Sequence, residues 1–258
     1  MIYPEILYDN VIRGITPTWS GTTVSEYPPA NCYDWRNFSL FEADTGNLDF
    51  VMTADTPISE LSVYVRTLIG GSSNTIELQY ESAPAVFTSL QTVNPVQGKL
   101  SYDKFTEVTV ATGRKIRFVV TVGGGDTIFI RQLVVGVAMV AEQGQYQSAQ
   151  DPTLVNGVKV SNTISVNGSI IGRSIKRLDR KGNLQLDNLS AAWVRSDWEP
   201  FANHAARYPF IYQWNDRDYP DSTAFSTATL ETPQHSGIGD LMNVSGKLQN
   251  LVADDYAV

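Results

Sequence analysis

Lys115-Ile116-Arg117-Phe118-Val119-Val120-Thr121-Val122, then Gly123-Gly124-Gly125-Asp126, then the run from Thr127 to Val140 decide the fold class. The first run is rich in β-branched residues, which fit a pleated surface. Glycines in series supply the backbone freedom that a chain reversal needs. The last run is almost wholly apolar towards its end, as expected of a strand buried on both faces. Outward from this pair the same pattern repeats. Leu61, Val63 and Val65 alternate with Ser62, Tyr64 and Arg66, and Ile76, Leu78 and Tyr80 alternate with Glu77, Gln79 and Glu81. A period of two marks a strand with one face in a core. Val108-Thr109-Val110 adds another strand, and Gly70-Gly71-Ser72-Ser73-Asn74 and Val96-Gln97-Gly98-Lys99 supply turns. No helical crossovers separate these strands, so the sequence predicts a mainly β fold opening with an antiparallel β-sandwich of the jelly-roll type.

The composition changes over residues 141–155, where Gln and Ser are frequent and Asp151-Pro152 favours an extended linker. This divides the chain near residue 146, into domains 1–146 and 147–258. After the division, Gly157 to Val166 alternates, Asn167-Gly168 fits a two-residue type I′ turn, and Ser169 to Lys176 reads as the return strand. Leu184, Leu186 and Leu189 lead into Ser190, an N-cap for a helix around 190–207. Pro200 cannot sit in a helix interior, so this helix either ends near Glu199 or restarts with Pro200 in its first turn. Trp193, Phe201 and Ala205 share a face across such a pair, with Trp198 beside them. Trp193, Trp198, Phe201 and Trp214 are therefore expected to fix the packing of the second domain. Further strands are expected at 210–214, 225–230 and 241–251. The second domain is thus β-rich, with one or two short helices.

The 258 residues are 42% hydrophobic and 10% aromatic, enough to fill one large β core or two modest ones. With 19 Lys+Arg against 27 Asp+Glu the net charge is −8, which gives no general electrostatic reason to bind nucleic acid or anionic lipid. Cys32 is the single cysteine; it cannot form an internal disulfide, and it fits assembly in a reducing cytosol. Residues 1–5 lack the basic and then apolar pattern of a signal peptide, and no apolar run approaches the roughly 20 residues of a membrane span. A soluble, unprocessed chain is expected.

Chemistry is sparse. His204 falls at the end of the expected helix, where a cation complements the carbonyl end of the dipole, and His235 falls in a loop. No HExxH, CxxC or HxH spacing aligns metal ligands, so no metal is expected. No G-x-S-x-G elbow, phosphate loop or dinucleotide fingerprint occurs either, so no cofactor is expected. The densest acidic cluster, Asp216-Arg217-Asp218-Tyr219-Pro220-Asp221, lies beside Tyr212 and Trp214. Paired carboxylates near aromatic platforms suit a glycosidase, but adjacent acids in a Pro-containing turn more often solvate a loop. An aromatic excess also admits carbohydrate binding, for which Trp19, Tyr33 and Trp35 in turn-rich sequence are the candidates. Core packing is the ordinary use of such residues.

Tyr27-Pro28-Pro29-Ala30-Asn31-Cys32-Tyr33-Asp34-Trp35-Arg36, preceded by Asn10-Val11-Ile12-Arg13 and Thr16-Pro17-Thr18, resembles the opening of tail-tip proteins of tailed bacteriophages. That opening begins a galactose-binding-like β-sandwich. Asn167 to Ser174, Trp193-Val194-Arg195 with Trp198-Glu199-Pro200-Phe201, and Tyr208 to Asn215 with Tyr219-Pro220 resemble the C-terminal region of the same siphophage proteins. Ser222-Thr223-Ala224-Phe225-Ser226 departs from the aromatic and Cys-bearing run usual there. The resemblance implies a non-enzymatic structural virion protein of the tail tip or baseplate, assembled in the host cytoplasm. It implies a homo-oligomeric ring of three- or six-fold symmetry, partnered by tube, hub and fibre proteins. The alternative is a carbohydrate-binding adhesion protein that contacts host surface glycan.

Overall fold

A computed structural model describes residues 3–36, 39–68, 74–96, 98–123, 127–143, 151–154, 157–167, 169–215, 217–219, 221–237 and 239–251. The chain forms two compact units. One is Ile6–Met139; the other joins residues 1–5 to residues 140–258. Residue 146, where the sequence places the division, lies outside the described residues, as do Gly124 to Asp126 and Gly168.

In chain order the strands of the first half are β1 (Glu5–Leu7), β2 (Thr18–Trp19), β3 (Phe41–Ala43), β4 (Gly46–Val51), β5 (Thr56–Leu68) and β6 (Thr75–Ala83). They are followed by β7 (Val86–Val93), β8 (Leu100–Val110), β9 (Lys115–Thr121), β10 (Ile128–Gly136) and β11 (Met139–Val140). One sheet of the unit Ile6–Met139 runs β3-β10-β5-β8 and the other β2-β4-β9-β6-β7, with antiparallel pairing throughout. This is the expected antiparallel sandwich. Its core follows the period of two. Ile116, Phe118 and Val120 of β9 are buried, and Phe118 lies in register with Leu48 of β4 on one side and Leu78 of β6 on the other. Leu61, Val63 and Val65 of β5 belong to the same buried cluster, as do Ile128, Ile130, Leu133 and Val135 of β10.

The inward set on β10 changes parity because the register with β5 shifts around Ile130 and Gln132. A bulge inserts an extra residue and turns the later side chains over. Gln132 and Val134 on the other face are also buried, so this strand is covered on both sides, as its composition implies. β3 pairs only with residues 128–130 of β10. Beyond it, Asn10 donates from Nδ2 to the Leu133 carbonyl at 2.9 Å and accepts from the Val135 amide at 3.2 Å, while the Val11 amide donates to the Val135 carbonyl at 3.0 Å. A side-chain amide thereby satisfies backbone groups that a missing strand would leave orphaned.

The second unit contains β12 (Gly157–Ile164), β13 (Ile170–Asp179), β14 (Lys181–Ser190), β15 (Phe210–Gln213), β16 (Thr223–Leu230), β17 (Gln234–His235) and β18 (Leu241–Leu251). Its main sheet runs β15-β16-β18-β14, with β17 also on β18, and it is extended beyond β15 by β1 and then β11. The Ala141 amide donates to the Pro4 carbonyl at 3.4 Å. β12 and β13 form the expected hairpin. Its connection is longer than a two-residue turn: the Ser165 amide donates to the Ser169 carbonyl at 2.8 Å, leaving residues 166–168 between them.

Ser190 caps the helix as its chemistry dictates, its hydroxyl accepting from the Trp193 amide at 3.2 Å. The helix begins α-helical at Ala191–Trp193, widens to a π turn at Val194–Trp198, and resumes α-helical at Glu199–Ala205 with Pro200 in the first turn. Of the two expected behaviours at Pro200, restarting is the one observed. The π turn explains how the chain stays continuous: widening relieves the clash between the proline ring and the preceding turn.

Candidate functional site

The three aromatic candidates for carbohydrate contact are placed by different local structure. Trp19 is half-buried on the short edge strand β2, opposite Leu48 of β4. Its ring meets Phe41 edge-to-face at 5.2 Å, and Nε1 donates to the Thr22 carbonyl at 3.0 Å. A Cβ at Gly21 would lie 2.6 Å from Trp19 Cζ2, and one at Gly46 2.9 Å from Cη2. Both positions must stay glycine for the indole to lie across the backbone.

Tyr33 and Trp35 correct the expectation of exposure. Tyr33 is 8% exposed and Trp35 2%, so neither offers a face to a sugar. The cause is the 3-10 turn Pro29–Cys32, which carries Cys32 and Tyr33 inward. Asn31 closes the loop by donating from Nδ2 to the Leu40 carbonyl at 2.9 Å, and Tyr33 meets Phe50 edge-to-face at 5.4 Å. Burial pushes the Cys32 thiol well above its ordinary pKa value and raises that of the Tyr33 hydroxyl. Cys32 is thus a packing residue with no accessible thiolate.

Of the acidic cluster, Asp216 and Pro220 lie outside the described residues. Asp218 closes a loop on Asn215: Nδ2 of Asn215 donates to Asp218 Oδ2 at 3.2 Å, and the Asp218 amide donates to Asn215 Oδ1 at 3.1 Å. Tyr219 stacks on Trp214 at 5.4 Å with an interplanar angle of 16°. Among the described residues no group of three or more His, Cys, Asp and Glu side chains could hold a metal. His204 Nε2 lies 2.8 Å from the Pro209 carbonyl at the helix end, whereas His235 is exposed on β17.

The residues expected to pack the second unit differ in depth. Trp198 and Phe201 are 1% and 0% exposed and form an edge-to-face chain with Phe210, at 5.2 Å and 4.9 Å between successive centroids. Trp214 is buried and Trp193 half-buried.

A feature without a strong signal in the sequence is the isolation of the β12–β13 ribbon. These strands pair with each other and, among the described residues, with no third strand. The ribbon's end exposes Ile164 at 61%, Ile170 at 64% and Ile171 at 68%, with Val166 fully exposed between them. The sequence shows these residues as an ordinary hairpin pattern. Only the topology reveals that, among the described residues, no third strand pairs with them.

No protein-family model matches the chain, and no curated protein matches it. Among solved structures, CBM32-1 from a family 31 glycoside hydrolase of Clostridium perfringens is similar, at 17% identity and a TM-score of 0.42 over 50% of this chain and 99% of that one. Chitosan-binding module 2 of a Paenibacillus chitosanase/glucanase, solved with chitotriose, is 10% identical with a TM-score of 0.40, over 50% of this chain and 100% of that one. A GH29 fucosidase of Ruminococcus gnavus, solved with fucose, is 16% identical with a TM-score of 0.43; the likeness covers 52% of this chain and spans only 28% of the fucosidase. These are carbohydrate-binding modules and a glycosidase, not tail proteins.

Proposed function

We propose that this chain is a non-enzymatic assembly component of the tail-tip kind that its sequence resembles, located in the virion and built into a ring of its own copies. The observation that supports this reading is the β12–β13 ribbon, which pairs with no third strand among the described residues and has Ile164, Val166, Ile170 and Ile171 exposed at its end. An isolated two-stranded hairpin is marginal in water, and a cluster of exposed branched apolar residues is a docking surface rather than a solvated tip. The occupant is a second copy of the chain: in a closed ring each subunit sets such a patch against a different, complementary surface of the next subunit. Sedimentation of the full chain tests this: the wild type is expected to self-associate, and Ile164→Ser with Ile170→Ser and Ile171→Ser to remain a monomer. A wild type that stays monomeric at high concentration overturns it.

The second reading is glycan adhesion through the sandwich unit. It is favoured by Trp19, the one carbohydrate candidate of the three that is not fully buried. A glycan array with multivalent presentation should then show binding that Trp19→Ala abolishes. An array without signal removes this reading and leaves the assembly reading standing.

A further inference from the structure

Charge is unevenly shared within the second unit. Residues 157–181, which form the β12–β13 ribbon with Arg180 and Lys181 at its root, hold six of the chain's 19 cations and one of its 27 acids, Asp179. The rest of the unit, residues 1–5, 140–156 and 182–258, holds thirteen acids and four cations. A basic arm therefore stands on an acidic body. The end of the ribbon adds the exposed Ile164, Val166, Ile170 and Ile171. Arg173, in register with Asn162, is the cation nearest to them in sequence.

A surface of matching chemistry lies at the root of the ribbon. Leu154, 64% exposed, and Tyr219, 53% exposed, sit on two turns that are tied together. The Leu154 amide donates to the Asp151 carbonyl at 3.2 Å, the Ser222 amide donates to the Tyr219 carbonyl at 3.0 Å, and the Ser222 hydroxyl joins the turns by donating to Asp151 Oδ2 at 2.8 Å. Arg180 Nε donates to the Thr153 carbonyl at 2.8 Å, which places both turns where β13 runs into β14. Tyr219 stacks on Trp214, and the exposed Asp218 and Asp221 stand on either side of it in sequence. Residues 216–221 hold three acids and one cation. β12 has eight residues, so the paired strands keep the apolar end of the ribbon roughly 26 Å from the root of its own chain.

We propose that the ribbon end of one copy seats on the Leu154 and Tyr219 surface of the next, with Arg173 of the first copy meeting Asp218 and Asp221 of the second. This rests on the assembly reading and names the surface that receives the ribbon. Burial of branched side chains against Leu154 and the Tyr219 ring supplies the apolar part. The carboxylates supply the counter-charge, and the tyrosine face accepts a guanidinium as well. Ribbon end and receiver are different patches carried by every copy, so the contact is heterologous and can close into a ring. An anionic membrane would also draw the basic arm, but it would repel the acidic body behind it. The body of another copy turns the same charge into attraction.

Sedimentation velocity of the full chain distinguishes this proposal from the reading beneath it. The wild type is expected to associate, and to do so more weakly in added salt. Asp218→Arg with Asp221→Arg should weaken association about tenfold or more, and adding Arg173→Glu to that variant should recover most of the loss by exchanging the charges. In a mixing experiment, chains with Ile164→Ser, Ile170→Ser and Ile171→Ser keep the receiver, while chains with Leu154→Arg and Asp221→Arg keep the ribbon. Together they should form a one-to-one pair, although neither associates alone. Thermal melts of each variant check that the fold is intact. If the ribbon variant is monomeric while both receiver variants associate like the wild type, or if the mixture stays monomeric, the proposal fails and the assembly reading survives. A wild type that stays monomeric removes both, and its co-sedimentation with phosphatidylserine vesicles would assign the arm to a membrane instead.

Discussion

Asp49 and Arg117 face each other across β4 and β9, on the surface of the sheet opposite the core. Arg117 donates from Nε and Nη2 to the two carboxylate oxygens at 2.6 and 2.8 Å, Lys115 adds a contact of 3.3 Å, and the guanidinium lies 3.5 Å from the Phe87 ring centre. Burial pushes the Asp49 carboxyl up, but the hydrogen bonds and charges of Arg117 and Lys115 outweigh it and hold the group below the usual carboxylate range. A carboxyl depressed in the folded state contributes stability above its unfolded pKa of about 3.9 and loses it as pH falls through the lower folded value. Asp49→Asn should therefore cost about 1–3 kcal/mol at pH 7, and the difference from wild type should shrink once the pH drops below about 4. Urea titrations at both pH values measure this; an undiminished difference in acid would show that charge is not the cause. Single residues were also where the sequence was least legible. Trp19 and Trp35 look alike in turn-rich sequence, yet one reaches the surface and the other is buried with φ +62°. What separates them is the 3-10 turn and the long-range Asn31 to Leu40 hydrogen bond, neither of which a local pattern encodes.

At the level of elements, the helix that joins β14 to β15 shows how one awkward residue is absorbed. Pro200 removes a backbone donor, and the π turn just before it lets the apolar side chains on both sides of the junction reach the same aromatic chain. Trp198→Ala should cost about 3–5 kcal/mol, because the indole is buried against Phe201. Trp198→Phe should restore much of that loss, since the indole Nε1 has no hydrogen-bond partner among the described residues and its removal orphans nothing. Thermal denaturation distinguishes them; an alanine variant that melts with the wild type would refute the packing role. The existence of β5, β6, β9, β10 and β18 was readable because alternation or apolar runs mark strands that form a core. β7 was not, because its burial is shallow and its pairing with β6 depends on a tight turn at Pro84-Ala85, where Ala85 takes φ +61°. The bulge on β10 was also invisible, since an inserted residue changes side-chain parity without changing composition.

For the whole molecule, the division into units has more physical content than the change of composition that first indicated it. The buried cluster of the sandwich is drawn entirely from residues within Ile6–Met139, between Ile12 and Val135. A fragment of residues 6–139 should consequently fold alone and unfold cooperatively, which dispersed amide resonances and a single thermal transition would establish. A fragment with collapsed resonances would show that its core needs the rest of the chain. The β12–β13 ribbon belongs to the other unit, and there sequence patterning was not sufficient: a period of two specifies which residues share a face, but not that the two strands find no third among the described residues.

β1 and β11 lie side by side in the sheet that continues through β15, β16, β18 and β14, and the Pro4 carbonyl accepts a hydrogen bond from the Ala141 amide. The sandwich is therefore spliced into its host between two points one hydrogen bond apart. Such a junction behaves like a socket: a gene segment encoding any domain with neighbouring ends could replace residues 8–138 and leave β1 and β11 whole on either side. Selection could then exchange one unit of the chain while leaving the strands of the other unchanged.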